Sequence, residues 1–157
     1  MALLPIIQYP DPVLAAKAEP VTEFNDELRK LAADMAETMY AAPGVGLAAN
    51  QVGSLKRIVV IDIGEGPIVM VNPEILETSG SQTGQEGCLS VPGKAGIVTR
   101  PQKVKVKALD ENMEEFVLEG EDLLARAICH ECAHLHGQLY VSLVEGELMD
   151  TTEEVEE

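Results

Sequence analysis

From Asn25 onward the apolar positions Leu28, Leu31, Ala32, Met35, Ala36 and Met39 recur at helical spacing, and Pro43-Gly44 closes the run. The pattern predicts an amphipathic helix. Ahead of it, Asp11-Pro12 reads as the cap and first turn of a short helix. Beyond it the period shortens. Residues 57–63, Arg-Ile-Val-Val-Ile-Asp-Ile, and 67–72, Pro-Ile-Val-Met-Val-Asn, read as strands joined by a Gly-Glu-Gly turn. Residues 103–109, Lys-Val-Lys-Val-Lys-Ala-Leu, alternate cleanly, so that strand has one wet face. Asp110-Glu111-Asn112 turns the chain into Phe116-Val117-Leu118, and a second helix is predicted from about Glu121 to His136, stopped at Gly137. Strands followed by a late helix predict an α+β fold rather than alternating βαβ units.

Composition narrows the class. A chain of 157 residues with 46% hydrophobic and 24% charged residues suits one folded domain. Its charge is unusual: 11 Lys+Arg against 27 Asp+Glu leave a net −16. A nucleic-acid binder gains most of its energy from cations on phosphates, and an anionic membrane surface attracts cations too. Neither partner is expected. No apolar run approaches the roughly 18 residues of a membrane span, and the start carries no basic leader. Three cysteines without an export signal point to free thiols in a reducing cytoplasm. No Lys or Arg follows Arg126, and residues 145–157 are strongly acidic. The expected division is a domain over 1–144 and an acidic, partly disordered tail over 145–157, whose last residues, Thr-Thr-Glu-Glu-Val-Glu-Glu, stay solvated.

The chemistry concentrates in the second predicted helix, at His130-Glu131-Cys132-Ala133-His134. At 100° per residue the two histidines lie about 40° apart on one face, so both imidazoles reach one metal ion. Glu131 falls beside that ion. A carboxylate there can take a proton from a metal-activated water and return it to a leaving group. Two histidines do not complete such a site, because a catalytic metal usually takes three protein ligands. Downstream, the position of a third histidine in the long zinc-protease form is Tyr140, and Glu153 and Glu154 sit in the acidic tail. Upstream, Cys88 in Glu86-Gly87-Cys88-Leu89-Ser90 offers a soft thiolate.

Cys129 and Cys132 invite a redox or zinc-clip reading, but on a regular helix they point about 210° away from the histidines. They read as buried structural thiols. Gly44-Val45-Gly46-Leu47-Ala48-Ala49 fits a dinucleotide fingerprint formally, yet it follows a helix and Pro43 instead of a strand.

Taken in order, Gly-Val-Gly-Leu-Ala-Ala-Asn-Gln at 44–51, Glu-Gly-Cys-Leu-Ser at 86–90 and His-Glu-x-x-His at 130–134 resemble the three signature motifs of bacterial peptide deformylases. The likeness runs over about residues 5–144, including the Tyr-Pro-Asp-Pro-Val-Leu start. It implies an α+β fold with mixed or antiparallel sheets around a central metal-binding helix. It implies that Cys88, His130 and His134 bind the metal, Fe(II) in the native state with Zn(II) or Ni(II) as substitutes. Glu131 would be the general base and then the acid in hydrolysis of the formyl group of N-formylmethionine at a nascent chain's start, releasing formate. The Gln51 amide and the Leu89 backbone N–H would stabilise the oxyanion. Gly46 and Gly87 would let the substrate backbone pair as an added strand, and Val45 would line the methionine pocket. Thiolate-bound ferrous iron is expected to lose activity in air. The alternative is a related metal hydrolase acting on another N-acyl peptide or amino acid.

Two departures from the family pattern stand out. Ala133 occupies the position usually held by Asp before the second histidine, and Arg100 is the expected cation left without that carboxylate. The chain also ends in acid where many relatives carry a longer basic helix, so ribosome contact through a basic C-terminal helix is not expected.

Overall fold

The computed structural model describes residues 3–8, 11–42, 44–64, 66–140 and 143–150. Tyr9, Pro10, Pro43, Glu65 of the expected turn, and the expected solvated end at 151–157 lie outside the described residues. Helix α1 spans Asp26–Ala41. The Asn25 side chain caps it by accepting the Leu28 N–H at 3.0 Å, and Asp26 and Glu27 complement the helix dipole in its first turn. Pro12–Ala15 forms a 3₁₀ turn capped by Asp11. Strand β1 (Gly46–Ala48) leads through a second 3₁₀ turn, Ala49–Val52, to β2 (Ile58–Ile61). Then follow β3 (Ile68–Ser79), β4 (Gln82–Cys88), β5 (Val91–Arg100), β6 (Lys103–Leu109) and β7 (Glu115–Glu121). Helix α2 (Leu123–Leu135) and β8 (Glu145–Asp150) complete the described chain.

Two antiparallel sheets result, ordered β1-β2-β3-β6-β7 and β4-β5-β8. The larger sheet is covered on both faces. Ile58, Val60 and Val71 pack with Met35 and Met39 of α1, whereas Val59, Ile61 and Met70 pack with Ile128 and Leu135 of α2. That explains the unbroken Ile-Val-Val-Ile of β2, since a strand between two helices needs apolar side chains on both sides. β6 keeps the alternation read from its sequence: Val104, Val106 and Ala108 are buried under α2, while Lys103 and Lys107 face Glu121, Glu74 and Glu115 at 3.7–3.9 Å. Among the described residues no helix is long and apolar enough to cross a membrane.

Three expectations change. The strand expected at 67–72 runs on to Ser79, because the ladder with β6 shifts register between Val71 and Glu74 and so passes Pro73 without needing its missing N–H. Asn72 takes a positive φ there, and its side chain bridges the Val21 backbone at 2.8 and 2.7 Å. The β4–β5 hairpin has no counterpart in the sequence reading, since its polar, glycine-rich strands lack a hydrophobic period. Finally, Glu145–Asp150, counted with the acidic tail, is strand β8: its backbone pairs with β5, and the Thr99 hydroxyl donates to the Glu145 carboxylate. Its acidic sequence hid a strand held by ladder hydrogen bonds.

Candidate active site

α2 packs against a face of the larger sheet and carries four buried polar side chains, Arg126, His130, Glu131 and His134. Cys88, the last residue of β4, faces them: its Sγ lies 3.3 Å from His134 Nε2. One donor atom each from Cys88, His130 and His134 falls within 4.8 Å of the others. A thiolate and two imidazoles converging this closely, two of the three residues buried, form a donor set suited to a divalent transition metal.

Glu86 organises the other side of His130. The His130 Nδ1–H donates to Glu86 Oε1 at 2.6 Å, leaving Nε2 for the donor cluster. Arg100 donates twice to the same carboxylate, at 3.0 and 2.8 Å, and Arg126 once at 2.6 Å. Arg126 also reaches the Val98 carbonyl at 3.2 Å. Arg100 is therefore not left without a carboxylate; Glu86 is its partner across the β4–β5 ladder. Burial by itself would raise the Glu86 carboxyl, but the hydrogen bonds from His130 and Arg100 hold it at about 2. Burial likewise disfavours a charged His130, and Cys88, Glu131 and Glu86 around it override this, lifting it to about 10. His134 is pushed well below the usual histidine range by burial and by the charge on His130.

Glu131 is 4% exposed, and burial raises its carboxyl to about 7. Its Oε1 has no hydrogen-bond partner among the described residues. Its Oε2 lies against the backbone of β1, where a β-carbon on Gly46 would stand 2.5 Å away. Gln51 approaches from the 3₁₀ turn after β1. Its Oε1 accepts the Ala48 N–H at 2.9 Å, and its Nε2 lies 3.0 Å from Ser90 Oγ and 3.5 Å from Cys88 Sγ.

These groups open into a cleft of about 940 Å³ that Val45, Gly46, Gln51, Gly87, Leu89 and Glu131 all help to line. Its walls are the free edge of β1 on the larger sheet and the free edge of β4 on the smaller one. Every site residue named from the sequence thus reaches one place. The sequence reading assigned no role in the site to Glu86, Arg126, Ser90 or Tyr140, whose buried ring stacks on His130 with centroids 6.0 Å apart. Arg126 had a usable signal, a lone charge inside the apolar run Leu-Leu-Ala-Arg-Ala-Ile-Cys. Cys129 and Cys132 are buried free thiols with raised pKa, Cys132 to about 12 through burial, as structural cysteines should be.

The family model for polypeptide deformylase matches residues 3–147. The chain belongs to that family. It is 62% identical over 154 residues to the peptide deformylase of Agathobacter rectalis, covering 98% of each chain. It is 57% identical to peptide deformylase 1 of Clostridium acetobutylicum, covering 94% of this chain and 99% of that one. The crystal structure of the Thermotoga maritima peptide deformylase superposes with a TM-score of 0.90 at 41% identity, over 92% of this chain and 99% of that one. A Synechococcus elongatus peptide deformylase in complex with actinonin gives 0.89 at 44% identity, over 92% and 80%. The enzyme is a metallohydrolase of α+β fold that removes the N-terminal formyl group from newly made polypeptides.

Proposed function

We propose that Cys88 Sγ and the Nε2 atoms of His130 and His134 hold Fe(II) in the native enzyme, with Zn(II) or Ni(II) able to take its place. The observation that carries this is the convergence of the three donors within 4.8 Å beside the buried carboxylate of Glu131. When bound, such an ion supplies Lewis acidity, polarising the formyl carbonyl and acidifying water.

The chain's own groups do the rest. Glu131 takes the proton of the attacking water and returns it to the departing amine. A carboxyl raised to about 7 is matched to both transfers near neutral pH. Gln51 Nε2 and the Leu89 backbone N–H donate to the oxygen that gains charge. The formylmethionyl peptide lies as an added strand between the free edges of β1 and β4, with Gly46 and Gly87 contributing backbone groups and Val45 touching the methionine side chain. Glycine at position 46 also serves Glu131, which occupies the space of a side chain there.

Anaerobic purification with metal analysis and a formate assay on one sample tests the reading. Iron in near one-to-one amount, formate from formyl-Met peptides, activity lost in air and none toward acetyl-Met peptides are expected. Turnover of acetyl-Met with none of formyl-Met would end it.

A further inference from the structure

We infer that Ser90 is a positioning residue for the deformylation step: its hydroxyl fixes the side-chain amide of Gln51 so that one amide hydrogen faces the reacting oxygen. The inference rests on the reading of Gln51 as an oxyanion donor. An amide has two ends, and only the nitrogen end can stabilise negative charge. Here the orientation is determined by both neighbours. The Ala48 backbone N–H can only donate, so the group 2.9 Å from it is Oε1 and Nε2 is turned toward β4. Nε2 carries two hydrogens. One goes to Ser90 Oγ at 3.0 Å, which leaves the other on the side of Cys88 Sγ, 3.5 Å away and on the cleft.

Ser90 is fully buried, does not line the cleft and is not one of the three metal-binding donors, so it acts through Gln51 rather than on the substrate. Without that acceptor Gln51 keeps the bond from Ala48 and the long 3.5 Å contact to Cys88 Sγ, so the terminal amide is held less firmly, and a donor displaced by about 1 Å loses much of its effect on a transition state. Its bond spans 39 residues of sequence, joining the turn after β1 to the turn between β4 and β5.

A double-mutant cycle on the metal-loaded enzyme tests this, with Ser90→Ala, Gln51→Ala and the pair assayed for kcat, KM, metal content and Tm. Gln51→Ala is expected to lower kcat about 100-fold, and Ser90→Ala about tenfold with KM and metal content little changed. The pair should be no slower than Gln51→Ala alone, because Ser90 has nothing left to position. Ser90→Thr, which keeps the acceptor oxygen, should retain kcat within about threefold and guards against a fold defect in the alanine variant. Additive losses in the double variant, or an unchanged kcat in Ser90→Ala, overturn the inference while leaving Gln51 in its role. An unchanged kcat in Gln51→Ala overturns both, and identifies the oxyanion assignment as the fault.

Discussion

Gly46 on the edge strand β1 and Glu131 on helix α2 occupy the same space: a β-carbon at position 46 would stand 2.5 Å from Oε2 and 2.9 Å from the carboxyl carbon of Glu131. Real side chains do not approach so closely, so even a methyl group must displace the carboxylate or the strand. Gly46→Ala is expected to lower kcat at least about 100-fold, by misplacing a group whose position is part of the reaction. Metal content should stay unchanged, since the atoms nearest a β-carbon there all belong to Glu131 and none to the three donors Cys88, His130 and His134. A variant with wild-type kcat would show that the carboxylate can work from elsewhere.

Glu131→Gln keeps the shape and removes the base. A loss in kcat of about 100- to 10,000-fold with full metal content is expected. The same substitution reports on stability. The folded Glu131 carboxyl releases its proton at about 7, against 4.5 for the ordinary group. A carboxyl raised in this way leaves stability intact below 4.5 and erodes it as the pH climbs through 7. In chelator-treated protein, Glu131→Gln should therefore be more stable than the parent at pH 8, by roughly 3 kcal/mol, and nearly equal to it at pH 4.5. Denaturant titrations at the two pH values check the sign.

Glu86→Gln acts in the opposite direction. It leaves Arg100, 6% exposed, and Arg126, 8% exposed, without their carboxylate, a change that costs roughly 3–5 kcal/mol in buried pairs. The Glu86 carboxyl is depressed to about 2, so its contribution is present above 4.5 and disappears as the pH falls through 2. The penalty should be largest at pH 7 and shrink toward pH 2. Metal affinity should fall about 10- to 100-fold, because His130 loses the partner that orients its ring. Unaltered affinity in a competition titration would separate the ion-pair network from the metal site.

Cys88→Ala removes the only sulfur donor of the cluster. Metal analysis should find the purified variant largely empty, and parent enzyme stripped by a chelator should lose activity and regain it on adding Fe(II) without air. A fully loaded alanine variant would break the three-donor assignment.

Removing residues 145–157 takes away β8 and uncovers the edge of β5, the strand that carries Arg100. A lower Tm is expected, measured beside a chain shortened only by 151–157. Equal melting of the two would show that the β5–β8 ladder contributes nothing to stability.

Much of this protein was legible from local pattern. The period of α1, the alternation of β6, the stop at Gly137 and the spacing of His130 and His134 are short-range properties, set by backbone geometry and by which residues alternate. The three motifs together identified the family; eight of the nine residues named from them line one cleft, and the ninth, His134, lies 3.3 Å from Cys88 Sγ. What the sequence could not say depended on contacts between distant segments. Glu86 opened one of the motifs without a role of its own, yet it is buried and held by Arg100, Arg126 and His130. Arg100 seemed to want a carboxylate at Ala133 and had one across a strand ladder. Residues 145–150 were counted with an acidic, partly disordered tail, but backbone pairing with β5 does not depend on an apolar side-chain pattern. A sequence determines its local periods and its inventory of reactive groups. The meeting of Cys88 with α2, of Ser90 with Gln51 and of Gly46 with Glu131 was decided only by packing two sheets around one helix, because those contacts are made across long stretches of chain and leave no period to read.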